Sequence, residues 1–167
     1  AEVISAKLPR LQMLLNASRL LPTHLPLQSK LLWSDVLMSA ITHHLSTDPP
    51  DIIHVEHLRM AHYGLQLTAK WPVLWDAVDY LASLYEQAAR ASTSLPLRLI
   101  SRLEAPRLAA YERRLTSQFR STIVISNSDL DLFQQGNPFA ERIHLAQTGI
   151  PMLPTPEQGA RASNVLV

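Results

Sequence analysis

The residues best placed for chemistry fall in two clusters within Asp51–Ser83. Glu56, His57 and Arg59 follow the apolar run Ile52-Ile53 with Val55, and Asp76 and Asp79 follow Pro72-Val73-Leu74-Trp75. Buried strands that open at their C-terminal ends onto polar groups are how an open α/β sheet builds a site. Asp76 and Asp79 can serve as a general acid/base pair, because a carboxylate near a strand end can be tuned by burial. The same residues can simply cap the following helix, and spacing alone favours that role. His54-Val55-Glu56-His57 does not match the zinc pattern of two His four apart on a helix. Its histidines are three apart on a predicted strand, where they point to opposite faces, so no metal site is expected.

Two further sets carry charge or capping groups. Glu104, Arg107, Glu112 and Arg113 can receive an anionic substrate, but their spacing favours a helix-surface ion-pair network. Ser126-Asn127-Ser128-Asp129 can seat a phosphate at a helix N-terminus or act as a plain cap, with nothing to separate the two. No Gly-x-Ser-x-Gly, Walker loop or Gly-x-Gly-x-x-Gly is present.

The elements that must position these groups follow from periodicity. Leu8 to Leu21 and Ser29 to Leu45 show helical spacing, the second being stopped by Thr47-Asp48-Pro49-Pro50. A strand over Asp51–Glu56 comes next. Arg59 to Lys70 reads as a short helix or irregular turn broken at Gly64, and Pro72–Trp75 as a strand. Asp79–Ser92 reads as a helix, and Leu97–Phe119 as a long charged one that Pro106 kinks or splits. Thr122–Ser126 is a buried-type strand. Asn127 or Ser128 caps a helix over Asp129–Gln135 that Gly136 ends, and Arg142–Gln147 is a last strand. Val3-Ile4 within Ala1–Ala6 reads as the tail of a strand. Alternating helices and strands predict an α/β fold with a parallel sheet.

Composition narrows the function. The 167 residues suffice for one domain with a sizeable core. A net charge of +1 gives no field to attract nucleic acid, so no nucleic-acid partner is expected. The chain has no cysteine, which excludes thiolate chemistry and Cys-ligated zinc. No apolar run approaches the roughly 20 residues that span a bilayer. Only 4 glycines are present, and a Gly-rich first turn is missing. The chain starts without Met and ends on Asn164-Val165-Leu166-Val167, which looks like the start of a strand. Both ends lead us to expect part of a longer protein.

Taken in series, DIIHVEHLRMAHYG, PVLWDAVDYLASLYEQAA and SRLEAPRLAAYERRLTSQFRSTIVISNSDLDLF resemble the amino-terminal domain of family 4-type glycosyltransferases of the GT-B fold. The likeness is to the bacterial subgroup associated with exopolysaccharide synthesis and runs from about Leu25 to Leu145. In that subgroup a strand ending in His-x-x-His/Gln-Leu-Arg-Met precedes one ending in Asp-x-x-Asp. A helix of the form Arg-x-Glu…Tyr-Glu-Arg then leads into a strand ending in Ser-x-x-Asp. Two departures stand out: Gln147-Thr148-Gly149-Ile150-Pro151 replaces the family's Pro-Asn-Gly-Val/Ile-Asp, and Pro106 interrupts its helix.

The resemblance implies a Rossmann-like parallel sheet with helices on both faces over residues 1–150, lacking its first strand and Gly-rich loop. Residues 151–167 would then be a linker and the start of a second domain. It implies transfer of a sugar, with retention, from a nucleotide-sugar donor to a sugar or lipid-linked acceptor. No metal or other cofactor is implied. The setting would be cytoplasmic, with peripheral contact at the inner face of the membrane. Asp76 and Asp79 would stand near the transferred sugar as catalytic residues. Glu56, His57 and Arg59 would line the acceptor side, with Ser126 and Asp129 as secondary site residues. The donor would bind mainly to the second domain, so this chain alone is expected to turn nothing over. The competing expectation is a non-catalytic α/β binding or interaction module that keeps only the fold.

Overall fold

The computed structural model describes residues 3–147. Four strands lie side by side in chain order among these residues: β1 (Ile53–Glu56), β2 (Val73–Val78), β3 (Ser121–Val124) and β4 (Ile143–Leu145). Every neighbouring pair is parallel. Parallel neighbours cannot be joined by a tight hairpin, so helical crossovers connect them. Helix α3 (Leu58–Leu67) links β1 to β2, α4 (Leu81–Ala91) and α5 (Leu95–Gln118) link β2 to β3, and α6 (Asn127–Gln134) links β3 to β4. Helices α1 (Arg10–Leu20) and α2 (Asp35–Thr47) precede the sheet. This is the Rossmann-like α/β arrangement that the alternating pattern predicts.

Register explains which strand residues are buried. Val55, Trp75, Thr122 and Ile143 form one row across the sheet, and all four are buried. Trp75 is enclosed by Phe119 at 6.0 Å and by Phe133, edge-on, at 5.8 Å. The C-terminal ends of α5 and α6 therefore cover this face. Helix α3 packs there too, because a Cβ on Gly64 would stand 2.9 Å from Val55 Cγ2 and 3.1 Å from Phe119 Cε1. The alternate rows, His54-Leu74-Ser121 and Glu56-Asp76-Ile123, are half-buried or exposed. Polar residues of β1 and β2 thus sit on the open side of the sheet, beside the strand ends.

Several local expectations need correction. Gly64 does not break α3; it lets the helix approach β1 and Phe119 closely. Pro106 neither kinks α5 into two helices nor ends it. The carbonyl that it leaves without a donor, that of Arg102, belongs to an exposed residue one turn earlier on the solvent side. Helix α2 begins at Asp35, not Ser29, because the Ser34 hydroxyl caps it by accepting from Leu37 N at 3.3 Å. The turn before it is held by Tyr63, whose hydroxyl accepts from Ser34 N and donates to Leu32 O. Strand β2 runs on through Asp76 to Val78, and Val3–Ala6 forms no strand. Helix α1 forms as expected, yet Leu11, Leu14, Leu15 and Leu21 are exposed. The expected turn after β4, the linker and the last apolar run fall at residues 148–167, outside the described residues.

Candidate functional site

The C-terminal ends of β1 and β2 are built from unusual backbone. His57, directly after β1, has φ 66° and ψ 150°, and Val78, the last residue of β2, has φ 64°. Neither residue is glycine, and Val78 is β-branched, so both conformations are strained. They persist because neighbouring groups hold them. His57 N donates to Asp76 O at 2.9 Å, Val78 N donates to Asp76 Oδ1 at 3.1 Å, and Asp79 N donates to Ala77 O at 2.8 Å. The register of β2 against β3 also slips between Asp76 and Val78. Such strain gathers where a chain must present groups at a fixed place.

Asp76 is the hub of this backbone. Its second oxygen stands 3.4 Å from Nε2 of His54 on the next strand, giving an ion pair whenever the imidazole is protonated. The capping role weighed for Asp76 and Asp79 is not what forms, since α4 has no side-chain cap from either residue. Two distant carboxylates do that work. Asp129 accepts from Tyr80 N at 3.1 Å, and Glu112 accepts from Leu81 N at 2.8 Å and Ala82 N at 3.1 Å. Asp79 is half-buried and makes no side-chain hydrogen bond or ion pair among the described residues.

Glu112 is fully buried, not part of a surface ion-pair network as its spacing predicts. Burial pushes its carboxyl up to about 8, against the pull of the two backbone N–H groups toward the ionised form. Glu104 does pair with Arg107 at 3.1 Å, but it is also buried and accepts from Leu27 N at 2.6 Å. These two glutamates tie α5 to the turn after β2 and to the loop before α2.

Glu56, His57 and Arg59 are all exposed and line one cavity of about 850 Å³ at the edge of β1. Its walls are largely apolar, including Leu32, Ile41, Ile53 and Met60. Arg59 Nε donates to Gln28 Oε1 at 3.0 Å, and Gln28 Nε2 donates to the Tyr85 hydroxyl. Gln28 and Tyr85 therefore belong with the three predicted residues. Sequence spacing gave no signal for them, because one lies in a proline-rich loop and the other on the apolar stripe of α4. Asp76 and Asp79 do not line this cavity. Ser126 caps α6, its hydroxyl accepting from Asp129 N at 3.1 Å and donating to the Asp129 carboxylate. Ser126 and Asp129 are thus brought together with the turn after β2, and their hydrogen bonds are already taken. The structure joins the predicted residues into one strand-end region, with Glu56, His57 and Arg59 in the cavity and the aspartates beside it.

No helix among the described residues is long and apolar enough to cross a membrane. Comparison of the chain with family models, curated proteins and solved structures gave no match.

Proposed function

We propose that this chain supplies the acceptor-side half of a glycosyltransferase of the GT-B type. The observation that carries the reading is the cavity beside β1, where Glu56, His57, Arg59, Gln28 and Tyr85 place polar groups around an apolar hollow. Hydroxyl-rich ligands need such donors and acceptors, and apolar walls suit a lipid or alkyl tail on the same molecule. In the reaction, the acceptor oxygen bonds to the anomeric carbon of the donor sugar. The anomeric carbon–oxygen bond to the nucleotide diphosphate breaks, and its electron pair leaves with the diphosphate. The acceptor proton passes to a carboxylate, for which Asp79 and Asp76 are the proposed bases. Asp79 is the better suited, because its carboxylate is not committed to a neighbour while Asp76 holds Val78.

The probe for this site is an alkyl glycoside, which combines the two chemistries. Titrated into the chain, it should bind saturably, and Arg59→Met should weaken it about tenfold through loss of a charge-assisted hydrogen bond. Affinity unchanged in both Arg59→Met and Glu56→Gln would remove this cavity from consideration.

The exposed apolar surface supports membrane contact as part of the same reading. Leu95, Leu99, Ile100 and Leu103 on α5 are exposed, as are Leu11 and Leu14 on α1. Arg98 and Arg102 lie among the former, Lys7, Arg10 and Arg19 lie near the latter, and neither 3–34 nor 92–103 contains an acidic residue. Leucines edged by arginines fit an anionic bilayer surface. The chain is expected to float with phosphatidylglycerol vesicles, and Leu99→Ser with Leu103→Ser to reduce the floated fraction severalfold. Equal flotation with phosphatidylcholine and with the double variant would refute the contact.

A further inference from the structure

A second hollow lies away from the strand-end cavity, between the C-terminal halves of α3 and α5 and the loop before α2. It holds about 280 Å³, and its polar lining is Lys30, His62, Gln66, Tyr111, Arg114 and Gln118. Helices α3 and α5 end just before β2 and β3 begin, so this hollow faces the N-terminal end of the sheet. No carboxylate among the described residues lines it. Lys30 and Arg114 have no ion-pair partner among the described residues. Tyr111 is buried, with 4% exposure, and its hydroxyl has no hydrogen-bond partner among the described residues. Buried hydroxyls normally find one, so this group lacks an acceptor, which the described residues do not provide.

The electrostatics agree with the geometry. His62 is pushed down to about 4, first by burial and then by the charges of Lys30 and Arg114. The hollow thus resists a third positive charge and favours a negative one. Lysine offers a point charge and arginine a planar fork of donors, the pair that suits phosphate oxygens. At roughly 30 Å³ per water, the volume admits a phosphate group and several waters.

We infer that this hollow binds a small phosphate-type dianion. Lys30 and Arg114 supply the charge and the Gln66 and Gln118 amides donate hydrogen bonds, with Tyr111 Oη, closed off from solvent, joining them through a small side-chain shift. The inference is independent of the glycosyltransferase reading, since it uses none of the strand-end residues.

Inorganic phosphate titrated calorimetrically into the whole chain at low salt is the test. Saturable binding is expected with a Kd of about 1 mM or tighter. Lys30→Met and Arg114→Met should each weaken it about tenfold, and Tyr111→Phe about threefold. The His62 ring resonances of the unaltered protein should move as phosphate is added, a readout that needs no variant to fold. No saturable binding, affinity indifferent to all three substitutions, or unmoved His62 resonances would each overturn the site. Phosphatidic acid vesicles, set against phosphatidylcholine, separate the two sources of this chemistry. Capture lost in Arg114→Met assigns a lipid headgroup. Capture indifferent to Arg114→Met, while phosphate binding still depends on it, assigns a free phosphomonoester.

Discussion

Glu112→Ala is expected to lose about 4 kcal/mol of stability, measured by urea denaturation, because two buried N–H groups lose their acceptor at about 1–3 kcal/mol each and a cavity is added. That is a large share of the roughly 5–15 kcal/mol that holds a domain of this kind together. The side chain is fully buried and accepts from both Leu81 N and Ala82 N. Glu112→Gln keeps one acceptor oxygen but turns an amide toward the other N–H, so about half of the loss should remain.

The same residue sets a pH dependence whose sign follows from its shift. Burial raises the folded-state value to about 8 from the ordinary glutamate value of 4.5. Between these values the folded protein binds more protons than the unfolded chain, so stability falls as pH rises. The contribution is fully present below about 4.5 and is lost progressively as pH rises to about 8, with a slope of at most about 1.4 kcal/mol per pH unit. In Glu112→Gln this part of the slope should vanish. A slope unchanged by the substitution would show that another group titrates there.

Gly64 carries the second large effect. Alanine would gain about 1 kcal/mol in helix propensity over glycine. Against that, its Cβ would stand 2.9 Å from Val55 Cγ2 and 3.1 and 3.2 Å from the Phe119 ring. Overpacking of this kind costs about 1–3 kcal/mol, and Val55 is a β-branched residue in a strand with little freedom to turn away. The clash should win, leaving Gly64→Ala destabilised by about 1 kcal/mol and Gly64→Val by about 3 kcal/mol or more. Val55→Ala should relieve part of the loss, so a double-mutant cycle will show favourable coupling between positions 55 and 64. Strict additivity would place the strain elsewhere.

How far the chain could be read in advance depends on the range of the interaction. The order of strands and helices was legible, because alternating apolar runs and helical stripes are local signals. The strand-end residues were legible for the same reason: Glu56, His57 and Asp76 follow short apolar runs. Glu112 was misread because its partners are Leu81 and Ala82, about thirty residues away. Its sequence neighbourhood is charged, and only the packing of α5 against α4 makes it buried. Gly64 was misread similarly, since its neighbours Val55 and Phe119 come from different elements. Gln28 and Tyr85 joined the cavity by a contact between a loop and a helix 57 positions apart, which no periodicity records.

The glycosyltransferase reading is tested most directly by titrating UDP- and GDP-sugars into this chain, alone and within a version extended at both ends to its natural termini. The account predicts binding and sugar transfer by the extended protein only, with transfer lost in Asp79→Asn while an alkyl glycoside still binds. Neither binding nor transfer by the extended protein would contradict it, and the chain would then be a binding module that keeps the fold without the chemistry.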